Sequence, residues 1–309
     1  VAAFPYAPPA LRRLLARAPW LGRLAQALEA WGLALFLAAL RGLGPDRAAR
    51  VGAALFGAWG PWLRKARHVR ANLGIAFPER SAREIEALER GVWGSFGAML
   101  ADYAHLDEIC RRDGGRVEVV VKGNVRALQD EGRPVVLATA HVGNYQLATY
   151  AASRLGIPVT ALYTPTSNPR VDRMITRLRR PIASRLVPRD GGVRALVREL
   201  SCGRSVGLVV DTRTDGSAMI PFFGRPVPTT TLPARLALRF GCELVPIRVE
   251  RMEGARFRVT VYAPLVADEA QGEKEQALAM TRMLNARFED WIRERPEEWQ
   301  CLKRRWPKR

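Results

Sequence analysis

Residues 137–148 read LATAHVGNYQLA. With Val135 and Val136 before it, the stretch VVLATA has the continuous apolar character of a short buried strand, and YQLATYAASRLG after it has the character of a helix closed by glycine. A strand, a tight turn and a helix in that order point to an α/β fold, and they put His141 at the strand-to-turn junction. Such junctions form the C-terminal edge of a parallel sheet, where open α/β folds carry their chemistry. Gln146 lies five positions on, about 140° away from His141 on an ideal helix. The two side chains meet only if His141 sits in the elbow and Gln146 in the first helical turns, with Gly143 folding the backbone between them. Asn144 is then an N-cap or a polar group of the site. An isolated histidine at such a place is either a structural residue or a base, and spacing alone leaves both open.

Working outward, VEVVV from Val117 and IPVTALYT from Ile157 read as strands, and an arginine-rich helical stretch runs from about Pro169 to Leu186. A helix at VRALVRELSCG, a strand at SVGLVVD, a helix at TLPARLALRFG and a strand at CELVPIRVE follow. RFRVTVYAPL then turns back as an antiparallel partner, and a last helix covers about Lys274 to Arg293. Strands alternating with helices predict an α/β layered fold with a largely parallel mixed sheet flanked by helices. The first 110 residues read instead as a helical, membrane-associating region. The expected organisation is thus 1–110 and 111–309, forming one continuous globular unit.

In that N-terminal region a helix is expected from about Pro9 to Leu40. Its Leu24–Leu40 portion is apolar, contains Glu29 and is flanked by Arg23 and Arg41. Seventeen residues fall at or below the length that spans a bilayer, so the segment reads as interfacial or re-entrant, with the arginines as anchors. No basic segment, apolar run and small-residue cleavage site occur in that order, so no signal peptide is expected. Asp46 is a candidate cap after Pro45, and Ser81 with Glu84 forms a candidate capping box.

The chain has 309 residues, 48% hydrophobic, enough for one large core. Its 49 Lys and Arg against 30 Asp and Glu give a net charge of +19, dominated by arginine, which favours anionic partners such as nucleic acid, anionic lipid or phosphorylated substrates. No recognisable nucleic-acid module accompanies the charge, so nucleic acid is not expected as a partner. Cys110, Cys202, Cys242 and Cys301 show no metal-ligand spacing and read as reduced packing residues in a cytosol-facing protein; no metal is expected. His68, in a basic run, and His105, after a helical stretch, read as surface or packing residues.

Two further stretches bear on a site. VGLVVDTRTDGSA puts Asp211 and Arg213 at the end of a buried strand. PFFGRPVPTTTLPARLA sets Phe222, Phe223, Gly224 and Arg225 and a hydroxyl run before a helix N-terminus. That arrangement suits either an apolar slot with backbone donors for an anion, or a rigid loop and a capped helix.

Taken together, AHVGNYQLA, VVDTRTDGSAMIPFFGRPVPTTTLPARLA and the closing RPEEWQCLKRRW resemble the lipid A biosynthesis acyltransferase family, the lauroyl and myristoyl transferases, over about Leu35 to Trp306. The resemblance implies a layered acyltransferase fold at the cytoplasmic side of the cell inner membrane. It implies transfer of a fatty acyl chain from acyl carrier protein to a hydroxyl of a phosphorylated glycolipid, a lipid A precursor, with the acyl thioester as co-substrate and no cofactor. On the family's His-x4-acid motif His141 matches the general base, Gly143 and Asn144 lie between base and acid, and Gln146 falls on the acidic position. Asp211 matches an acidic residue at a strand end, followed by Thr212 where glutamine is common. Cys301 and Lys303 stand where an aromatic residue and a histidine are common.

The chemistry explains why Gln146 matters. A hydroxyl attacking a thioester must give its proton to a neutral imidazole, and a carboxylate partner orients that ring and stabilises its cation. Glutamine can orient but carries no charge, and the analogous loss of charge in serine proteases costs about four orders of magnitude in kcat. Gln146 therefore implies a low-activity chain, through a Glu→Gln replacement that keeps shape and slows turnover, unless another carboxylate such as Asp211 supplies the charge. Arg170, Arg173, Arg177, Arg179, Arg180 and Arg185 crowd one stretch, with 173, 177 and 180 on one helical face, and arginines here or in the 64–70 basic cluster are expected to grip lipid phosphates or an acidic carrier. Two other readings keep part of this. One is an acyl coenzyme A-dependent acyltransferase for another glycolipid such as phosphatidylinositol mannoside; the other is a non-catalytic lipid-binding homologue.

Overall fold

The structure, a computed structural model, describes residues 19–125, 133–182 and 185–307. The expected helical residues 9–18 and the last two residues of the basic tail lie outside them. Helices α1 (Pro19–Arg41), α2 (Pro45–Trp59), α3 (Ala66–Ala76), α4 (Ala82–Asp102) and the single turn α5 (Leu106–Ile109) precede the sheet. Strands β1 (Val117–Val121) and β2 (Val135–Thr139) follow, then α6 (Leu147–Arg154), β3 (Val159–Tyr163), α7 (Pro169–Leu178), β4 (Arg185–Pro188), α8 (Gly192–Ser201) and β5 (Ser205–Val209). A hairpin of β6 (Ala218–Phe222) and β7 (Arg225–Thr229), helix α9 (Leu232–Arg239), strands β8 (Glu243–Arg251) and β9 (Phe257–Val261), and helix α10 (Glu273–Glu294) complete the chain.

Seven strands form one sheet in the order β1-β9-β8-β2-β5-β3-β4. Neighbours are parallel throughout except β8 and β9, which are antiparallel as RFRVTVYAPL predicts. The central strand β2 is buried at every residue, as a strand covered by helices on both faces must be. Two apolar cores result. One joins Val69, Leu73 and Trp93 of the helical region to Val136, Val206 and Leu244 of the sheet. The other joins Leu37, Ala49 and Ala101 to Leu137, Val159 and Ile247. Residues on either side of position 110 thus share both cores.

Several local expectations are met and others corrected. Ser81 accepts from the Glu84 amide and the Glu84 carboxylate accepts from Ser81, closing the capping box. Asp46 does not cap α2, whose N-cap is Gly44; it turns to Arg116 and to the Ala255 amide. The arginine-rich helix stops at Leu178, and Arg185–Pro188 becomes the edge strand β4, paired with β3 where β-branched and apolar neighbours outweigh the helical pattern. The PFFGRP segment forms a hairpin, with Phe223 and Gly224 both at positive φ in its two-residue turn, so the reading of it as a loop is also corrected. Cys202 is exposed and is not a packing residue.

Helix α1 is longer than the 17 residues read from sequence. Trp20–Arg41 is long and apolar enough to cross a membrane, and few of its residues are buried. Trp20, Leu24, Leu28, Trp31 and Leu35, at helical spacing, are exposed, while Leu37 and Leu40 pack into the core.

Candidate active site

The register of the sheet assembles the site. Leu137 of β2 pairs with Gly207 of β5, and Gly207 with Ala161 of β3, so the three stand in one row. Thr139 pairs with Val209 one row nearer the C-terminal edge. Side chains alternate along a strand, so two residues further on His141 and Asp211 leave the sheet on that same face, side by side. His141 Nδ1 lies 2.5 Å from Asp211 Oδ1. Asp211 Oδ2 accepts from the Trp299 indole at 3.0 Å, so both carboxylate oxygens are occupied.

Asp211 is almost wholly buried, which opposes its charge. The pull of His141, by charge and by hydrogen bond, together with the Trp299 donor outweighs that penalty, and the carboxyl is held below its ordinary range. A carboxylate accepting the Nδ1 proton leaves the lone pair on Nε2, the nitrogen free to take a proton from a substrate. The Tyr145 ring meets the imidazole edge-on with centroids 4.8 Å apart and fixes its plane.

The turn itself is held by the C-terminal segment. Gly143 has φ of 56° and donates to the Glu298 carbonyl; a Cβ there would come within 2.5 Å of the Val249 carbonyl oxygen. Gln300 donates its amide to the His141 carbonyl and its side chain to the Gly143 carbonyl. Asn72, fully buried on α3, donates to the carbonyls of Cys301 and Lys303 and accepts from the Arg305 amide. The motif at 298–306 therefore works as a strap across the histidine turn.

Gln146 is not the partner of His141. It begins α6, and its Oε1 accepts from the Tyr103 hydroxyl at 2.7 Å; that hydroxyl accepts in turn from Arg179 Nε and Nη2 at 3.0 and 2.6 Å. The expected meeting of His141 with the acidic position is replaced by pairing across strands to Asp211. Asn144 is neither a cap nor exposed to the site: it is buried and donates to Asp102. Phe222 and Phe223 pack with Trp299 and Trp306 in the aromatic core and do not line the cavity, because the hairpin turn folds both inward. Arg225 is exposed on that hairpin, and Arg213 pairs with Asp215. Arg173, Arg177 and Arg180 face solvent; of the arginines in this stretch Arg179, past the end of α7, lines the site, and Arg189 joins it from beyond β4.

A cavity of about 540 Å³ opens beside His141. Its apolar lining includes Leu137, Ala161, Ile182, Leu186, Val193 and Gly207, and its polar lining includes Gln146, Arg179, Arg189 and Lys303 with several threonines. Among the described residues no carboxylate lines it. Tyr103, Tyr145, Trp299 and Lys303 were not singled out as site residues from sequence; the WQCLKRRW motif was the one available signal for the last two. Among the described residues no group of three or more His, Cys, Asp or Glu converges as a metal site would.

The family model of bacterial lipid A biosynthesis acyltransferases matches residues 19–308. The chain belongs to that family. It is 27% identical over 201 residues to a phosphatidylinositol mannoside acyltransferase of Mycolicibacterium smegmatis, covering 63% of this chain and 64% of the relative. It is 30% identical over 183 residues to a protein of the same name from Mycobacterium tuberculosis, covering 57% of this chain and 55% of that one. The matches thus span under two thirds of these relatives. Among solved structures, a 1-acyl-sn-glycerophosphate acyltransferase of Thermotoga maritima aligns at a TM-score of 0.37 and 11% identity, covering 80% of this chain and 99% of that one.

Proposed function

We propose that this family member is an O-acyltransferase that moves a fatty acyl chain from a thioester donor to a hydroxyl of a glycolipid. The observation that carries the reading is the His141–Asp211 pair at the mouth of a large, mostly apolar cavity. The acceptor hydroxyl approaches Nε2 of His141 and gives up its proton as its oxygen attacks the thioester carbonyl. Asp211 stabilises the imidazolium that forms, and the thiolate leaving group takes the proton back as the tetrahedral intermediate collapses. The acyl tail lies in the trough whose floor is the row Leu137, Gly207 and Ala161. Because Asp211 supplies the charge, Gln146 does not disable the base.

Between the two acceptor classes, the name shared by the mycobacterial relatives favours a phosphatidylinositol mannoside over a lipid A precursor. Coenzyme A and acyl carrier protein are both suitable carriers of the thioester. The exposed apolar faces of α1 (Trp20, Leu24, Leu28, Trp31, Leu35) and of the following helical segment (Leu55, Trp59, Trp62), with a charge of +19, support work at an anionic membrane surface, the cytoplasmic side of the inner membrane.

The test is acyl transfer by the purified chain in detergent or vesicles, offered palmitoyl coenzyme A or acyl carrier protein with phosphatidylinositol mannoside or a lipid A precursor, with products read by mass spectrometry. Formation of an acylated mannoside, lost in H141A, is the expected result. Absence of any acylated glycolipid with all four pairs refutes the reading.

A further inference from the structure

A second cavity, of about 170 Å³, lies against His141 and Asp211 and is lined by Lys65, Lys303 and Arg305, with Trp299, Gln300 and Thr212. It shares His141 and Lys303 with the larger one. Among the described residues Asp211 is its one carboxylate, and both oxygens of Asp211 are already taken.

Arg305 is the unusual member. It is 2% exposed, and its Nη1 and Nη2 donate to the Pro228 carbonyl at 3.0 Å and the Thr229 hydroxyl at 2.8 Å. Its guanidinium lies over the Phe222 ring, its Nε has no hydrogen-bond partner, and among the described residues no carboxylate makes an ion pair with it. Burial draws its pKa down to about 10, so the fold holds this cation at a cost. The neighbouring lysines are placed by the same device: α3 starts directly after Lys65, and Asn72 of α3 grips the Lys303 carbonyl and the Arg305 amide. Three cations from two distant parts of the chain are thereby held around one small space beside the proposed base.

We propose that this cavity is a phosphate-binding subsite, in which Lys65, Lys303 and the buried Arg305 hold a phosphate group carried by one of the two substrates. The inference deepens the acyltransferase reading and rests on it for which molecules bring the phosphate. A phosphate has the charge and the several acceptor oxygens that suit three cations lining one space, whereas a neutral sugar or an acyl tail brings no negative charge to them. Two sources fit: the phosphodiester of the acceptor glycolipid and the phosphopantetheine arm of the donor. Either would fix its owner in register with Nε2 of His141, because the cavity adjoins that residue.

The experiment uses the purified full chain. Inorganic phosphate is titrated at constant ionic strength with chloride as the control, and binding is followed by tryptophan fluorescence, since Trp299 lines the cavity, and by calorimetry. Saturable binding of phosphate, weakened about tenfold or more in K65A/K303A, is expected for the loss of charge-assisted contacts. Lys65 and Lys303 are exposed, so this pair keeps the test clear of the folding defect that R305A risks. No saturable response beyond that to chloride, or undiminished binding by the double variant, overturns the proposal. In steady-state assays the same double variant raises KM about tenfold for the acceptor if the glycolipid brings the phosphate, or for the donor if the carrier does; neither rise overturns it. A chain inactive with every substrate pair refutes the acyltransferase reading, while the phosphate titration still decides the subsite.

Discussion

Replacing Asp211 by asparagine separates orientation from charge at the proposed base. In the structure the carboxylate sits 2.5 Å from His141 Nδ1 and is 3% exposed, so its field reaches the imidazole with little screening by water. At an effective dielectric near 20, a unit charge pair about 4 Å apart is worth about 4 kcal/mol, which converts to about three orders of magnitude in rate if it is lost only in the transition state. A second effect acts in the same direction. Trp299 presents a donor, so the amide oxygen of D211N turns to the indole and its NH2 group faces Nδ1. That forces the ring proton onto Nε2, the nitrogen that has to accept the substrate proton. We therefore expect kcat for acyl transfer to fall by about three to four orders of magnitude, with KM for both substrates changed less than about threefold. The assay is single-turnover transfer from radiolabelled acyl donor, with circular dichroism to show that the fold is intact. A D211N chain within about tenfold of the unmodified rate would refute the pairing as the source of the charge.

The other expectations follow from neighbouring contacts. Q146E should change kcat by less than about tenfold, because Gln146 bonds Tyr103 and not His141; a gain of a hundredfold or more would return the charge-partner role to position 146. G207A puts a methyl group into the middle of the trough, 3.0 Å from a Val159 methyl, and should shift the ratio of kcat/KM between long and short acyl donors toward the short by about tenfold, the scale of one methylene in an apolar pocket; an unchanged chain-length profile, read by mass spectrometry of products, would remove the acyl tail from this trough. N72A breaks three hydrogen bonds to the strap, two of them buried, and should cost about 2–4 kcal/mol in denaturant unfolding along with most of the activity; a loss under about 0.5 kcal/mol would show that the strap does not depend on it. Asp46, through hydrogen bonds from Arg116 and from the Ala255 amide, and Asp211 both have folded pKa values below the ordinary 3.8. Depressed carboxyls stabilise the fold fully above the unfolded value and lose that contribution as pH falls through the folded one, so melting temperature should hold above about pH 5 and drop steeply below about pH 4, less steeply in D46N.

The layered α/β architecture was legible because it rests on local pattern: the buried strand at Val135–Thr139, the glycine-closed helices and the antiparallel return at β9 each carry their signal within a few residues. His141 was legible for the same reason, as a histidine at the end of such a strand. Its neighbour was legible only as the alternative carboxylate at a second sheet edge. Asp211 lies next to it only because β2 and β5 are adjacent in register, and adjacency of strands 70 residues apart leaves no trace in spacing. Linear proximity pointed to Gln146, and the family's motif pointed the same way. The errors at Phe222 and Phe223 have a related origin. Two aromatics in a glycine-proline segment look like a slot, but the β6–β7 turn folds them onto Trp299 and Trp306, residues whose approach depends on the strap. Arg179 was read only as one of six arginines in that stretch, not on the face of Arg173, Arg177 and Arg180, because the sequence ran the helix on to Leu186 and α7 ends at Leu178.

The glutamine at position 146 then has a different consequence from the one its place in the motif implies. Tyr103 is fully enclosed, and burial raises the pKa of its hydroxyl, so that hydroxyl stays protonated, donates to Gln146 and accepts from Arg179. A carboxylate in place of Gln146 would sit one hydroxyl away from the guanidinium and cancel much of its charge. With a neutral amide there, Arg179 keeps that charge in a cavity where Arg189 and Lys303 are also cationic and, among the described residues, no acid lines the wall. The adjoining space with Lys65 and Arg305 continues the same sign. Field lines in a low-dielectric cleft of one sign concentrate on its mouth and draw in anions. A glutamine at the motif's acidic position therefore leaves the charge partner of the proposed base untouched on β5 and keeps the region around it more cationic than an acid would. On the proposed function a glycolipid or thioester bearing phosphate would gain affinity from a neutral residue there, and Q146E should weaken phosphate binding at the smaller cavity even where it leaves kcat nearly constant.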